Sequence, residues 1–141
     1  MLTWEWVSKQ MTESRNYWLC TTRPDGRPHA MPVWGVWVED TFYFGTGPSS
    51  RKGRNLQHNP NAVVHLESGD ETVIFEGTIE AFRDAGTLKA VFAAYDRKYA
   101  PFSISETMDI NEPDGMYVLR PQRAFAWLEA DFLKTAVRWT L

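Results

Sequence analysis

Cysteine is almost missing from this sequence: Cys20 is the sole example among 141 residues. It has no partner within the chain for a disulfide, and no Cys/His spacing marks a metal site. A buried thiol in a strand is the expectation for it. No apolar run approaches the roughly 20 residues of a membrane-spanning helix. The start, Met1-Leu2-Thr3-Trp4-Glu5-Trp6, has no basic segment leading into an apolar one, so the chain reads as soluble and cytoplasmic, without a signal peptide. Positive charge is not in excess: 15 Lys and Arg stand against 18 Asp and Glu, a net charge of −3. Bulk electrostatics therefore give no reason to expect nucleic acid or an anionic membrane as partner. Internal repeats and low-complexity segments are absent, and so is any P-loop. Gly45-Thr46-Gly47-Pro48-Ser49-Ser50 lacks the third glycine of a dinucleotide fingerprint. His29, His58 and His65 lie on separate elements, with no serine or carboxylate motif to organise a triad. Glu67 and Glu71 flank a hairpin turn and read as solvated.

What remains is ordinary globular composition, 43% apolar and 23% charged, with an unusual seven tryptophans. The length suits one domain over residues 1–141. Trp4, Val7 and Met11 predict a short helix over 3–13. Tyr17 to Arg23 and Pro28 to Val38 predict strands joined by the turn Arg23-Pro24-Asp25-Gly26, where Pro presets φ and Gly supplies φ > 0. Glu39-Asp40 turns into a third strand, Thr41 to Thr46. A short helix follows, Ser50 to His58, ended by Asn59-Pro60. Ala62 to Glu67 and Glu71 to Phe82 form a hairpin across Ser68-Gly69-Asp70. Leu88, Val91, Phe92, Tyr95 and Tyr99 share one stripe of a helix over 86–99. Residues 100–114 have no period and read as a long loop. Strands at Gly115 to Arg120, Ala124 to Glu129 and Ala136 to Leu141 close the chain. Many short strands on tight turns, with few helices, predict a mainly β fold, an antiparallel barrel rather than a βαβ sheet.

Chemistry concentrates at Thr46-Gly47-Pro48-Ser49-Ser50-Arg51-Lys52-Gly53-Arg54-Asn55. Arg51, Lys52 and Arg54 sit near the amino end of the predicted helix, where the dipole disfavours cations by roughly 0.3–1 kcal/mol each. The cluster makes sense if an anion occupies the spot, cradled by helix-start amides, the Ser49 and Ser50 hydroxyls and two cations. The competing account is a solvated basic helix face screened by salt. No acid/base set stands out; hydride chemistry does not require one, because the cofactor carries it.

Ser50-Arg51-Lys52 after the strand Phe42-Tyr43-Phe44-Gly45-Thr46, followed by Asn55-Leu56 and Asn59-Pro60, resembles the pyridoxamine 5'-phosphate oxidase-like superfamily of flavin-binding split β-barrels. Asp25-Gly26-Arg27-Pro28-His29 followed by Pro32-Val33-Trp34 is similar to its branch of flavin/deazaflavin oxidoreductases. The resemblance implies a homodimer with a coenzyme, F420 or FMN, at each subunit interface, and a hydride moved to or from a small planar or unsaturated substrate. It assigns Gly45, Thr46, Ser50, Arg51, Lys52 and Asn55 to the phosphate and ribityl side, and Pro32, Val33 and Trp34 to the ring. Trp127 and Arg138 match residues that reach the coenzyme from the other subunit, with a spacing one residue off. Met31 stands where the oxidase has a phosphate-binding arginine, Thr72 where it has a flavin-contacting glutamine, and Leu133 and Thr135 where it grips pyridoxal phosphate. Those departures argue against vitamin B6 oxidation and favour F420, whose longer anionic tail Arg54 or Arg27 could serve. His29, Tyr43 and Tyr99 are the candidate proton donors, and no catalytic residue is assigned. A non-catalytic binder of flavin, haem or lipid is the alternative from another class.

Overall fold

The hairpin signals translate into an antiparallel sheet that curls into an open barrel. In the computed structural model, which describes residues 1–141, the strands are β1 (Tyr17–Thr22), β2 (Pro28–Val33), β3 (Gly35–Val38), β4 (Thr41–Gly45), β5 (Asn61–His65), β6 (Glu71–Ala81), β7 (Met116–Leu128) and β8 (Val137–Thr140). The helices are α1 (Trp4–Glu13), α2 (Arg51–His58), α3 (Ala85–Tyr99), α4 (Ile104–Thr107) and α5 (Phe132–Thr135). Strand order is β2-β1-β5-β6-β7-β4-β3, with β8 paired to the second half of β7. The fold is the antiparallel barrel with a few helices that the turn spacing predicts, split as the family resemblance implies.

Three elements depart from the sequence expectation. The strand predicted over 28–38 breaks at Trp34, so β2 and β3 become opposite ends of the sheet while adjacent in the chain. Gly35 makes the break possible: a Cβ there would lie 2.4 Å from the Phe42 ring. The strands predicted at 115–120 and 124–129 are one strand, β7, because Pro121 is absorbed at a bulge. Pairing jumps from Glu76–Arg123 to Gly77–Pro121, which leaves Gln122 as the extra residue. The predicted loop 100–114 contains α4, held by the Asp96 carboxylate, whose Oδ1 accepts from the amides of Ile104 (2.7 Å) and Ser105 (3.2 Å).

Two apolar clusters share the sheet. Inside the barrel, Tyr17, Leu19, Phe42, Phe44, Val64, Phe75 and Leu119 pack with Val7 and Met11 of α1. On the outside, Leu88, Val91, Phe92, Tyr95 and Tyr99 of α3 cover Val36, Tyr43 and Val118. Each such fully buried side chain contributes roughly 1.5–3 kcal/mol. The α3 stripe read from the sequence is the face that the sheet covers.

Burial pushes the Tyr99 phenol up to about 12, and raises those of Tyr17 and Tyr95 further. A phenol that keeps its proton when folded, and loses it near pH 10 when unfolded, stabilises fully below about pH 10 and progressively less above it. Lys98 acts in the opposite sense. Burial, then the charge of Arg15, holds its ammonium down to about 8, so its unfavourable charge is relieved as pH rises past that value. Denaturant midpoints measured from pH 8 to 11.5 are expected to rise or hold to about pH 10 and then fall. Lys98→Met is expected to remove the rise but keep the fall.

Candidate coenzyme cleft

A cleft of about 590 Å³ opens along the split in the barrel. One wall is the end of β2, with Pro32, Val33 and Trp34. Because β2 pairs with β1 alone, one of its backbone edges is unpaired, the setting in which a strand tolerates Pro28 and Pro32. The opposite wall is the turn between β4 and α2: Gly45, Thr46, Gly47 and, beyond it, Lys52. The third side is mainly apolar, formed by Phe102, Ile104 and Met108 of the α3–β7 connection, with Asn16, Thr107 and Asp114 as polar points, the last paired with Arg83.

The helix α2 begins where capping predicts. Ser50 Oγ accepts from the Gly53 amide at 3.1 Å and donates to the Gly47 carbonyl at 2.6 Å. This satisfies one helix-start amide and leaves those of Arg51 and Lys52 without an acceptor in the helix. Gly53 inside a helix costs roughly 1 kcal/mol relative to Ala. Here it is required, since a Cβ would stand 2.6 Å from the Gly47 carbonyl oxygen and 2.7 Å from that of Pro48. The turn lies directly on the helix.

Positive charge is left unneutralised beside this turn. The ion pairs of the chain are Arg27–Asp25, Arg83–Asp114 and Arg120–Glu80; Arg23, Arg51, Lys52 and Arg54 belong to none of them. The Arg23 guanidinium donates to the Pro28 carbonyl at 2.7 Å, and Arg51 reaches Asn55 Oδ1 at 3.5 Å. His29 on β2 faces the same cations, and its pKa is lowered by burial first and then by Arg23, Lys52 and Arg51. Such a cluster, its Nδ1 buried without a partner, fits a phosphate-bearing group.

The residues singled out from the sequence therefore separate. Pro32, Val33, Trp34, Gly45, Thr46 and Lys52 meet in the cleft. Arg51 is exposed just behind Lys52, and Ser50 is committed to the helix cap. Asn55 is wholly buried, its amide donating to Thr21 Oγ1 at 3.0 Å and tying α2 to β1. Trp127 and Arg138 lie at the other end of the sheet, opposite Thr72 and Phe125, and do not line this cleft within the chain. Arg27 is engaged by Asp25 at 2.8 Å. Of the candidate proton donors, Tyr43 is packed under α3, and the Tyr99 hydroxyl is taken up by backbone: it accepts from the Gly35 amide at 2.9 Å and lies 2.7 Å from the Arg15 carbonyl. Sequence reasoning missed Asn16, Phe102 and Met108, which have no local motif. It missed Gly53 too, whose signal was a glycine inside a helical period.

The Tyr95 hydroxyl joins the two walls. It donates to the Trp34 carbonyl at 2.8 Å and accepts from the Gly45 amide at 3.3 Å. Tyr99 stacks on Trp34 at 4.4 Å and 9°, and Phe102 meets Trp34 edge-on at 5.7 Å. The cleft thus combines an aromatic flank at Trp34 and Phe102 with one cation, Lys52, in its opposite wall.

Comparison with known proteins identifies the family and the fold. The family model for pyridoxamine 5'-phosphate oxidase matches residues 5–128. A stretch of 79 residues, 54% of this chain, is 39% identical to the pyridoxine/pyridoxamine 5'-phosphate oxidase of Burkholderia thailandensis, of which it spans only 37%. A conserved hypothetical protein of Mycobacterium tuberculosis superposes with a TM-score of 0.75 at 23% identity, over 91% of this chain and 86% of that one. A haem-binding protein of Mycobacterium smegmatis gives 0.72 at 22% identity, over 94% and 56%. An F420 reductase gives 0.60 at 22% identity, over 83% and 94%. With the family model covering most of its length, the chain belongs to the pyridoxamine 5'-phosphate oxidase family of split β-barrels.

Proposed function

We propose that this chain is an oxidoreductase that uses the cleft to hold a phosphate-bearing flavin or deazaflavin coenzyme, F420 in preference to FMN. The observation that carries the reading is the pairing of unneutralised cations at Arg23, Arg51 and Lys52 with the flat flank at Trp34 and Phe102. A phosphate joined to a planar ring satisfies both ends. When bound, the coenzyme supplies the hydride chemistry. The chain's part is to bind and orient: Lys52, Arg51 and Thr46 hold the phosphate side, while Pro32 to Trp34 support the ring and keep water from one face. The preference for F420 rests on Met31, which offers no charge to a compact phosphate, and on Arg54, an exposed unpaired cation one turn further along α2. The substrate in this reading is small, planar and unsaturated, seated against Phe102, Ile104 and Met108.

Dimerisation belongs to the same proposal. The outer surface of β3 and β4 is covered by α3, whereas that of β1, β5, β6 and the second half of β7 is bare. A cross-strand row runs over this bare half: Pro32, Trp18, His65, Ile74, Phe125 and Arg138. Trp18, Ile74 and Phe125 are half-buried aromatic or aliphatic side chains there, as at the centre of an interface. A two-fold axis through the middle of the row sets one end of it against the other. Arg138 and Trp127 of one copy would then approach the cleft end, Pro32, of the second.

A protein that stores haem is the second reading, favoured by the haem-binding neighbour.

Fluorescence titration with F420 and with FMN tests the site. Arg51→Ala with Lys52→Ala is expected to weaken the preferred coenzyme at least about tenfold, or ~1.4 kcal/mol; unchanged curves would sink the assignment. Gly53→Ala, which removes no charge but displaces the turn, is expected to weaken binding as well. Reduced coenzyme that is retained but never oxidised across quinones and enones would overturn the oxidoreductase reading. Light scattering is expected to find a dimer that Phe125→Glu converts to monomer with loss of coenzyme affinity; a monomeric native protein at tens of micromolar would refute the interface.

A further inference from the structure

His29 belongs to the cation cluster but is not accounted for by the cleft lining. On β2, His29, Met31 and Val33 share one face, opposite Thr21, Leu19 and Tyr17 of β1. Val33 completes the core and Met31 has no donor, so His29 is the hydrogen-bonding side chain that this face of β2 presents beside α2. Its neighbour Thr21 is occupied by Asn55 of α2. Nδ1 of the His29 ring is buried and has no partner. The charged groups acting on the ring are Arg23, at the end of β1, and Lys52 and Arg51 of α2; no carboxylate acts on it from these elements.

Those facts pose a problem that the protein alone does not solve. A neutral ring leaves Nδ1 unsatisfied, and a buried polar atom without a partner costs roughly 1–3 kcal/mol. A protonated ring has two N–H donors, but it would add a fourth positive charge to three and still find no acceptor. One phosphate oxygen supplies both the missing acceptor and the missing negative charge.

We propose that His29 is a further ligand of the coenzyme phosphate and takes up a proton from solvent as the phosphate seats among Arg23, Arg51 and Lys52. The inference rests on the coenzyme reading of the cleft. It adds that phosphate binding is proton-coupled, and that β2 supplies through His29 the contact that Met31 does not. Burial and the three cations keep the ring's pKa below its ordinary value in the free protein. An anion in their midst reverses the electrostatic part of that effect. Affinity should then tighten as pH falls from 8 to 6.5, by roughly three- to tenfold for a shift of a unit or more.

The chain has three histidines, so their ring resonances can be followed separately by NMR in the intact protein. The pKa of His29 is expected to rise by about one unit or more when the protein is saturated with F420 or FMN. His29→Gln, which cannot titrate, is expected to weaken binding at pH 6.5 more than at pH 8. Comparing the two proteins cancels the ligand's own protonation. If coenzyme binds in a manner dependent on Arg51 and Lys52, yet the His29 pKa is unmoved, His29 is not a ligand and the cleft reading stands alone. If neither coenzyme binds, both fall together.

Discussion

The structure depends on how the chain crosses the split between β2 and β3. The crossing is a single residue, Trp34, and its backbone is held by α3 rather than by another strand. Tyr95 takes the Trp34 carbonyl and the Gly45 amide, while Tyr99 takes the Gly35 amide at 2.9 Å. Lys98 adds bonds to the Gly35 carbonyl at 3.1 Å and the Tyr17 hydroxyl at 2.7 Å. Backbone groups at a sheet end would otherwise be orphaned where water is scarce. Three side chains near the end of one helix thereby hold open the cleft walls and brace α1 through Tyr17, whose hydroxyl donates to the Met11 carbonyl.

That bracing lets the remaining parts tolerate local cost. Glu39 and Asp40, at φ of 49° and 57°, occupy the left-handed region that non-glycine residues avoid, yet the β3–β4 hairpin is fixed on both sides by packing. The cations of α2 oppose the helix dipole, and Gly53 weakens the helix it belongs to. Each unfavourable choice serves one geometry, a backbone turn laid against a helix start with positive charge around it. Local rules broken together at one place are a better guide to a binding site than any of them alone. The sheet's outer surface is divided in the same way: α3 seals one half, and the other half carries Trp18, Ile74 and Phe125 in one cross-strand row.

Much of this was legible in the amino-acid order. Turn residues at Arg23-Pro24-Asp25-Gly26 and Ser68-Gly69-Asp70 and the apolar stripe of α3 specify their own elements, because φ preferences and periodicity act over a few residues. Ser50 as a cap and the charge on α2 are equally local. The break at Trp34 left no such trace: Val33 faces the barrel interior and Val36 the outer face under α3, as the odd spacing of a continuous strand would also place them. Pro121 misled for the opposite reason, since a bulge opposite Gly77 accommodates a residue that usually ends a strand.

What only the tertiary structure decided is which distant residues meet. Asn55 carries a signal in a motif, but its buried bond to Thr21 makes it a tie between α2 and β1. Lys52, Trp34 and Phe102 come from three separate segments, and no spacing along the chain predicts that they line one cleft. His29 looked like an isolated histidine until the sheet register set it beside Arg23 and the start of α2. The sequence by itself determined the strands, turns, caps and charges, because short-range sterics and patterning suffice for them. The site depends on barrel closure and on α3 docking, which bring together groups tens of residues apart through packing that no local window contains.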